Sequence, residues 1–181
     1  MKKHIFLTGF MGSGKSTIGK RLAQRLRIKF IDTDDKIELS HNAEIREIFK
    51  LEGESRFRKY EKSILDEIIS KENSAVISLG GGTLLSSENR RNVLESGLLI
   101  YIKSSPSKIW NRIKHSTRRP LLRKDGEEWT RQMYLDRIAE LMQEREKGYN
   151  QAPLVLDRNG KEVDEIVEEL LHRIEPLTQR F

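Results

Sequence analysis

His4-Ile5-Phe6-Leu7-Thr8-Gly9-Phe10-Met11-Gly12-Ser13-Gly14-Lys15-Ser16-Thr17 is an apolar run that stops in a glycine-rich loop and resumes with helical character. Residues 4–8 read as a strand. Beyond the loop, Ile18, Leu22 and Leu26 recur at four-residue spacing, the stripe of an amphipathic helix. The intervening Gly9 to Ser16 match G-x-x-x-x-G-K-[ST]. Glycines at these places let successive backbone N–H groups turn toward an anion, and the helix N-terminus adds positive potential. The order strand, glycine loop, helix predicts a cradle for the phosphates of ATP. Gly12, Ser13, Gly14 and Thr17 surround them, Lys15 meets the β and γ oxygens, and Ser16 ligates Mg2+.

Working outward, Ile28 to Ile31 is a second short strand running into Asp32-Thr33-Asp34-Asp35, and Ala75 to Leu79 a third, closed by Gly80-Gly81-Gly82. A helical pattern spans Asn42 to Ile69 with a break near Glu52-Gly53-Glu54. Helix is expected at about Ser87 to Glu95, strand at Leu98 to Ile102, and helix again from Pro106, a good first-turn residue, to about His115. A long helix then runs to about Lys147, followed by a strand at Pro153 to Leu156 and a helix at Val163 to Ile174. Strands alternating with helices predict an α/β fold with a parallel sheet covered on both faces. The basic stretch from Lys114 to Glu128 has little periodicity and reads as a flap.

The 181 residues suit one domain, with 36% hydrophobic and 34% charged residues. No apolar run approaches the roughly 20 residues of a membrane span. Without cysteine there is neither disulfide nor thiolate metal site, and His4, His41, His115 and His172 lack ligand spacing. The expectation is a cytoplasmic protein with no membrane partner. A formal charge of +6 suits nucleic acid or a pocket for anionic small molecules equally.

Carboxylates at a strand end lie where open α/β sheets bind ligands, although an Asp-x-Asp there also makes a helix cap. Glu54, Arg58 and Glu61 stand at i, i+4 and i+7, one face of a helix, where a solvated charge ladder is the ordinary alternative. Three consecutive glycines are costly in chain entropy, and a close approach of backbone to a ligand is the expected return.

The glycine loop, Asp32-Thr33-Asp34, Gly53-Glu54 with Phe57-Arg58 and Glu61, Gly80-Gly81-Gly82 and Arg119-Pro120-Leu121-Leu122 resemble shikimate kinases in order and spacing over about residues 4–160. The resemblance implies the nucleoside-monophosphate-kinase type of P-loop fold: five parallel strands in the order 2-3-1-4-5, an acceptor-binding helical region at about 33–61 and a mobile lid at about 114–128. It implies transfer of the γ-phosphoryl group of ATP to the 3-hydroxyl of shikimate, on the route to chorismate and the aromatic amino acids, by a monomer.

Asp34 then accepts from the ring hydroxyls and orients or deprotonates the attacking one as a catalytic residue beside Lys15 and Arg119, and Asp32 holds Mg2+ through water. Arg58 and Arg145 bind the carboxylate, Glu61 orients Arg58, and Gly81, flanked by Gly80 and Gly82, offers main chain to the acceptor. Arg119 is the lid arginine on the transferring group, and Arg112 is either the residue packing on adenine or, equally, a solvent-facing helix arginine. Either Arg158 or Lys161 supplies the adenine-side cation, with Lys161 taken into the ATP-binding set. One departure stands out: the family's Arg-x-Pro-Leu-Tyr is here Arg145-Glu146-Lys147-Gly148-Tyr149, which leaves the backbone course after Arg145 open. A P-loop kinase for another hydroxy or sugar acid such as gluconate is the nearest alternative. A nucleic-acid-stimulated ATPase is the more distant one, and the chain lacks an aromatic-basic RNA signature for it.

Overall fold

A computed structural model describes residues 4–114 and 129–178. The segment expected as a lid, with Arg119, therefore lies outside the described residues except for Lys114. The first strand, β1 (His4–Thr8), is buried at every position. Such a run survives only in the middle of a sheet covered on both faces. It pairs in parallel with β3 (Ala75–Ser78) on one side and β4 (Gly97–Lys103) on the other. With β2 (Lys29–Asp32) and β5 (Leu154–Asp157) outside them, the order is β2-β3-β1-β4-β5, as the resemblance implies.

Two apolar layers sandwich the sheet. On one face, α1 (Lys15–Leu26) and α7 (Val163–Thr178) bury Ile18, Leu22, Ile166 and Leu170 against Ile5, Leu7 and Ile100. On the other, α3 (Ile45–Lys71) and α4 (Ser87–Ser96) bring Leu65, Ile68 and Val93 onto Phe6, Ile77 and Leu99. A third cluster puts Phe10 of the glycine loop under Ile109 and Ile113 of α5 (Pro106–Ile113) and Ile138 and Leu141 of α6 (Arg131–Tyr149). Trp110 stacks on Tyr134 at 4.5 Å between ring centroids, so it is a packing residue.

Local chemistry explains the element ends. Helix α2 (Thr33–His41) begins directly after β2 because the Asp32 carboxylate accepts from the Asp34 N–H at 3.1 Å. The expected break near residue 53 is a bend inside α3, where Gly53 takes φ 78° and ψ 170°. Helix α6 runs two residues beyond the expected end at Lys147, through Gly148 to Tyr149. Lys-Gly in place of Pro-Leu thus keeps the helix regular where proline would remove an N–H donor.

Gly148 also decides how closely α6 approaches the short 3-10 turn Thr83–Leu85, since a Cβ there would lie 2.9 Å from both the Cβ and the carbonyl oxygen of Leu84. Restoring a leucine should force the two apart. Gly148→Leu is expected to lower stability by roughly 1–3 kcal/mol in urea unfolding, the cost of overpacking a filled site. An unchanged midpoint would contradict this packing.

Candidate active site

The carboxyl ends of β1, β2 and β3 open into a cavity of about 510 Å³, with the glycine loop at one end and the Gly80-Gly81-Gly82 run at the other. At the loop end, Gly12 and Gly14 take φ 76° and 96°, values that side-chain-bearing residues rarely adopt. Gly12, Gly14, Lys15, Ser16 and Thr17 line the cavity. Ser13 is buried beneath the loop, and its carbonyl accepts from Arg158 Nη1 at 2.8 Å. Lys15 Nζ is held over the loop, donating to the carbonyls of Gly9 at 2.9 Å and Phe10 at 3.4 Å.

Ser16 Oγ donates to Asp32 Oδ2 at 2.6 Å. A hydroxyl and a carboxylate at the head of a phosphate loop are hard oxygen donors, the kind Mg2+ takes alongside phosphates and water. Asp32 caps α2 with one carboxylate oxygen and accepts from Ser16 with the other. Asp35 also lines the cavity, and burial, reinforced by the Asp32 charge, pushes its carboxyl above the usual range.

Arg112 and Arg158 flank the loop. Arg112 Nη1 donates to Ser104 Oγ at 3.1 Å and to the Gly12 carbonyl at 3.3 Å. Arg158 lies so close under Gly14 that a Cβ there would overlap its guanidinium. Burial and then the Arg112 charge lower the Arg158 pKa. Both line the cavity, whereas Lys161 does not: its ammonium pairs with Glu169 at 2.6 Å. Between the two cations open at the end of β5, the geometry thus places Arg158 beside the loop and Lys161 away from it.

At the far end, each glycine of the run has a charged side chain where its own would begin. A Cβ on Gly80 would meet Glu61 Oε1 at 2.6 Å and Asp34 Oδ1 at 2.8 Å. On Gly81 it would meet Arg145 Nη1 at 2.8 Å, and on Gly82 both terminal nitrogens of Arg58 at 2.6 Å. The run makes room for the site's own side chains, a more specific reason for three glycines than approach to a ligand alone.

These side chains are firmly held. Arg58 donates to Glu61 Oε2 at 2.7 Å and to Glu54 Oε1 at 2.9 Å. Burial opposes the Arg58 charge, but Glu61 and then Glu54 more than offset it, so the guanidinium stays above its ordinary pKa. Glu61 is 1% exposed, so this pair is no solvated ladder. Arg145 is 4% exposed, with its guanidinium 5.2 Å above the Phe10 ring. Its Nε and Nη1 are buried without a hydrogen-bond partner among the described residues, and Arg145 lines the cavity. Buried cationic donors without an acceptor are expensive, and an anionic ligand at this end would supply one.

Three further residues hold the glycine run in place. The Thr33 hydroxyl accepts from the Gly80 N–H at 2.9 Å and donates to the Ser78 carbonyl at 3.2 Å. The Thr83 hydroxyl donates to Glu61 Oε1 at 2.6 Å, and the Tyr149 hydroxyl donates to the Gly81 carbonyl at 2.9 Å. These contacts span 47, 22 and 68 positions, and no local pattern signals them.

A P-loop opposite a cavity end carrying two arginines and a carboxylate, on a 2-3-1-4-5 parallel sheet, defines an ATP-dependent small-molecule kinase. A sequence profile described as Shikimate kinase matches residues 11–175. The shikimate kinase of Chlorobaculum tepidum is 47% identical over 178 residues, covering 97% of this chain and 93% of the relative. The chain belongs to the shikimate kinase family. A structure of shikimate kinase from Acinetobacter baumannii in complex with shikimate superposes with a TM-score of 0.86 at 29% identity, covering 95% of this chain and 92% of that one. A gluconokinase from Sinorhizobium meliloti, at TM-score 0.62 and 20% identity, shares the fold alone.

Burial pushes the Tyr149 hydroxyl up to about 12. Because the unfolded chain ionises first, near 10, the folded state loses stability as pH rises between these values. Tyr149→Phe removes both that loss and the Gly81 hydrogen bond. Wild type should be more stable than the variant at neutral pH by roughly 1 kcal/mol, and that advantage should shrink as pH rises from about 10 toward 12. A pH-independent difference in urea unfolding would contradict the buried hydroxyl.

Proposed function

We propose that this chain transfers the γ-phosphoryl group of ATP to the 3-hydroxyl of shikimate, giving ADP and shikimate 3-phosphate for aromatic biosynthesis, with the residue roles that follow. The observation carrying the acceptor half is the buried Arg145 guanidinium, with nitrogens that lack partners among the described residues, across the glycine run from Arg58. Two guanidiniums suit a carboxylate, which Arg can bind bidentately. Asp34, beside Gly80, accepts from a ring hydroxyl and orients the attacking oxygen, taking its proton as the bond to phosphorus forms. Gly81, with Gly80 and Gly82, offers main chain to the acceptor.

On the donor side the loop amides and Thr17 hold the phosphates, and Lys15 moves from the loop carbonyls to the β and γ oxygens. Ser16 would hold Mg2+ directly and Asp32 through water, and the ion would supply neutralisation of phosphate charge. Arg112 and Arg158 bracket the nucleotide base. Arg119 is proposed on sequence grounds as the lid arginine that stabilises the transferring group while lid closure excludes water. One domain over 1–181, an acceptor region at about 33–61, a lid at about 114–128, a monomeric state and cytoplasmic residence complete the proposal. Among the described residues no helix is long and apolar enough to cross a membrane. Family membership favours shikimate over gluconate as acceptor.

A coupled assay of ADP release with shikimate, gluconate and nucleoside monophosphates tests the acceptor: turnover is expected with shikimate alone. Lys15→Ala should abolish nearly all of it. Arg58→Ala should raise the shikimate KM at least tenfold, by loss of a charge-assisted contact worth roughly 1.5–3 kcal/mol, while barely moving that of ATP. No shikimate-dependent ADP release would overturn the proposal, and equal weakening of both substrates would remove Arg58 from the acceptor site.

A further inference from the structure

Arg58 is aimed by a carboxylate that is itself aimed. Glu61 uses one oxygen for each of two donors, Oε2 for Arg58 Nη1 at 2.7 Å and Oε1 for Thr83 Oγ1 at 2.6 Å. Glu61 and Thr83 are each 1% exposed, so this carboxylate is oriented by protein groups and not by bulk water. The other partner of Arg58, Glu54, has a side chain 54% exposed and contributes a screened contact.

Thr83 is well placed to be a fixed reference. It opens the 3-10 turn that follows the glycine run, where its N–H donates to the Gly80 carbonyl at 3.2 Å. Its own carbonyl accepts from the buried Asn89 side chain at 3.0 Å, which ties the turn to α4. Backbone and hydroxyl of one residue thus connect the floor under the acceptor site to the carboxylate behind Arg58.

We propose that Thr83 is a positioning residue for phosphoryl-acceptor binding: its hydroxyl fixes the Glu61 carboxylate, which in turn fixes the Arg58 guanidinium over Gly82. This rests on the assignment of Arg58 to the acceptor carboxylate. Removing the hydroxyl leaves Glu61 Oε1 buried without this donor, and the carboxylate then turns, releasing Arg58 from its orientation. Thr83 does not line the cavity. Its loss therefore weakens acceptor binding without touching the nucleotide or the transferring group.

The test compares Thr83→Val and Thr83→Ala with Thr83→Ser and Arg58→Ala in steady-state assays with shikimate and ATP varied in turn. Val keeps the volume and Ala avoids strain, so a misfolded variant of one leaves the other to report. Either is expected to raise the shikimate KM about tenfold or more, with the ATP KM within about twofold of wild type and kcat reduced less than the KM rises. Thr83→Ser is expected to restore the KM to within about twofold. An unchanged shikimate KM in the Val and Ala variants, beside a raised one in Arg58→Ala, overturns the role of Thr83 alone. Failure of Ser to rescue, or a parallel rise in the ATP KM, also overturns it and leaves Thr83 a packing residue. An unchanged KM in Arg58→Ala overturns the acceptor assignment itself, and the inference with it.

Discussion

The absence of a Cβ at Gly80, Gly81 and Gly82 is the constraint on which the end of the cavity proposed to take the acceptor depends. Glu61 and Asp34 over the first, Arg145 over the second and Arg58 over the third occupy the space that side chains at those positions would fill. Two guanidiniums and two carboxylates are thereby brought against one short stretch of backbone, from helices α2, α3 and α6. Such a collection stays together only if its charges are paired and its donors satisfied. Glu61 achieves this for Arg58 from within the protein, whereas the Arg145 nitrogens Nε and Nη1 lack partners among the described residues.

The glycine-loop end is built on a different device. There the backbone turns inward, with left-handed conformations at Gly12 and Gly14, and Phe10 anchors the loop in the cluster shared by α5 and α6. Phe10 also lies beneath Arg145, so one aromatic ring touches both ends of the cavity. Joined ends make chemical sense for a phosphoryl transfer, in which the protein's contribution is to bring two bound molecules into line and stabilise the charge between them.

Much of this was legible in the sequence. A buried central strand, a glycine loop and a restarted helix are local patterns, and the strand order followed from the family that those motifs resemble. Arg58 and Glu61 could be placed on one face because helical spacing alone determines it. Contacts between distant segments were not legible: Thr83 to Glu61, Tyr149 to Gly81 and Thr33 to Gly80 depend on tertiary packing. The choice between Arg158 and Lys161 shows the same limit, since both sit in one polar stretch and only the packing under Gly14 separates them. The Lys147-Gly148 departure left the backbone course after Arg145 open. The helix continues through it, and Gly148 permits the close contact with Leu84 that sets Arg145 and Tyr149 against the glycine run.

The central claim is that a carboxylate on the acceptor satisfies the arginines over Gly81 and Gly82. Calorimetric titration of the wild-type protein with shikimate and with its methyl ester, which keeps the ring hydroxyls and removes the negative charge, addresses that claim without mutating the site. Shikimate is expected to bind at least about twentyfold more tightly than the ester, because the ester leaves buried guanidinium charge unpaired. Equal affinity for the two would contradict the assignment of Arg58 and Arg145 to the acceptor carboxylate.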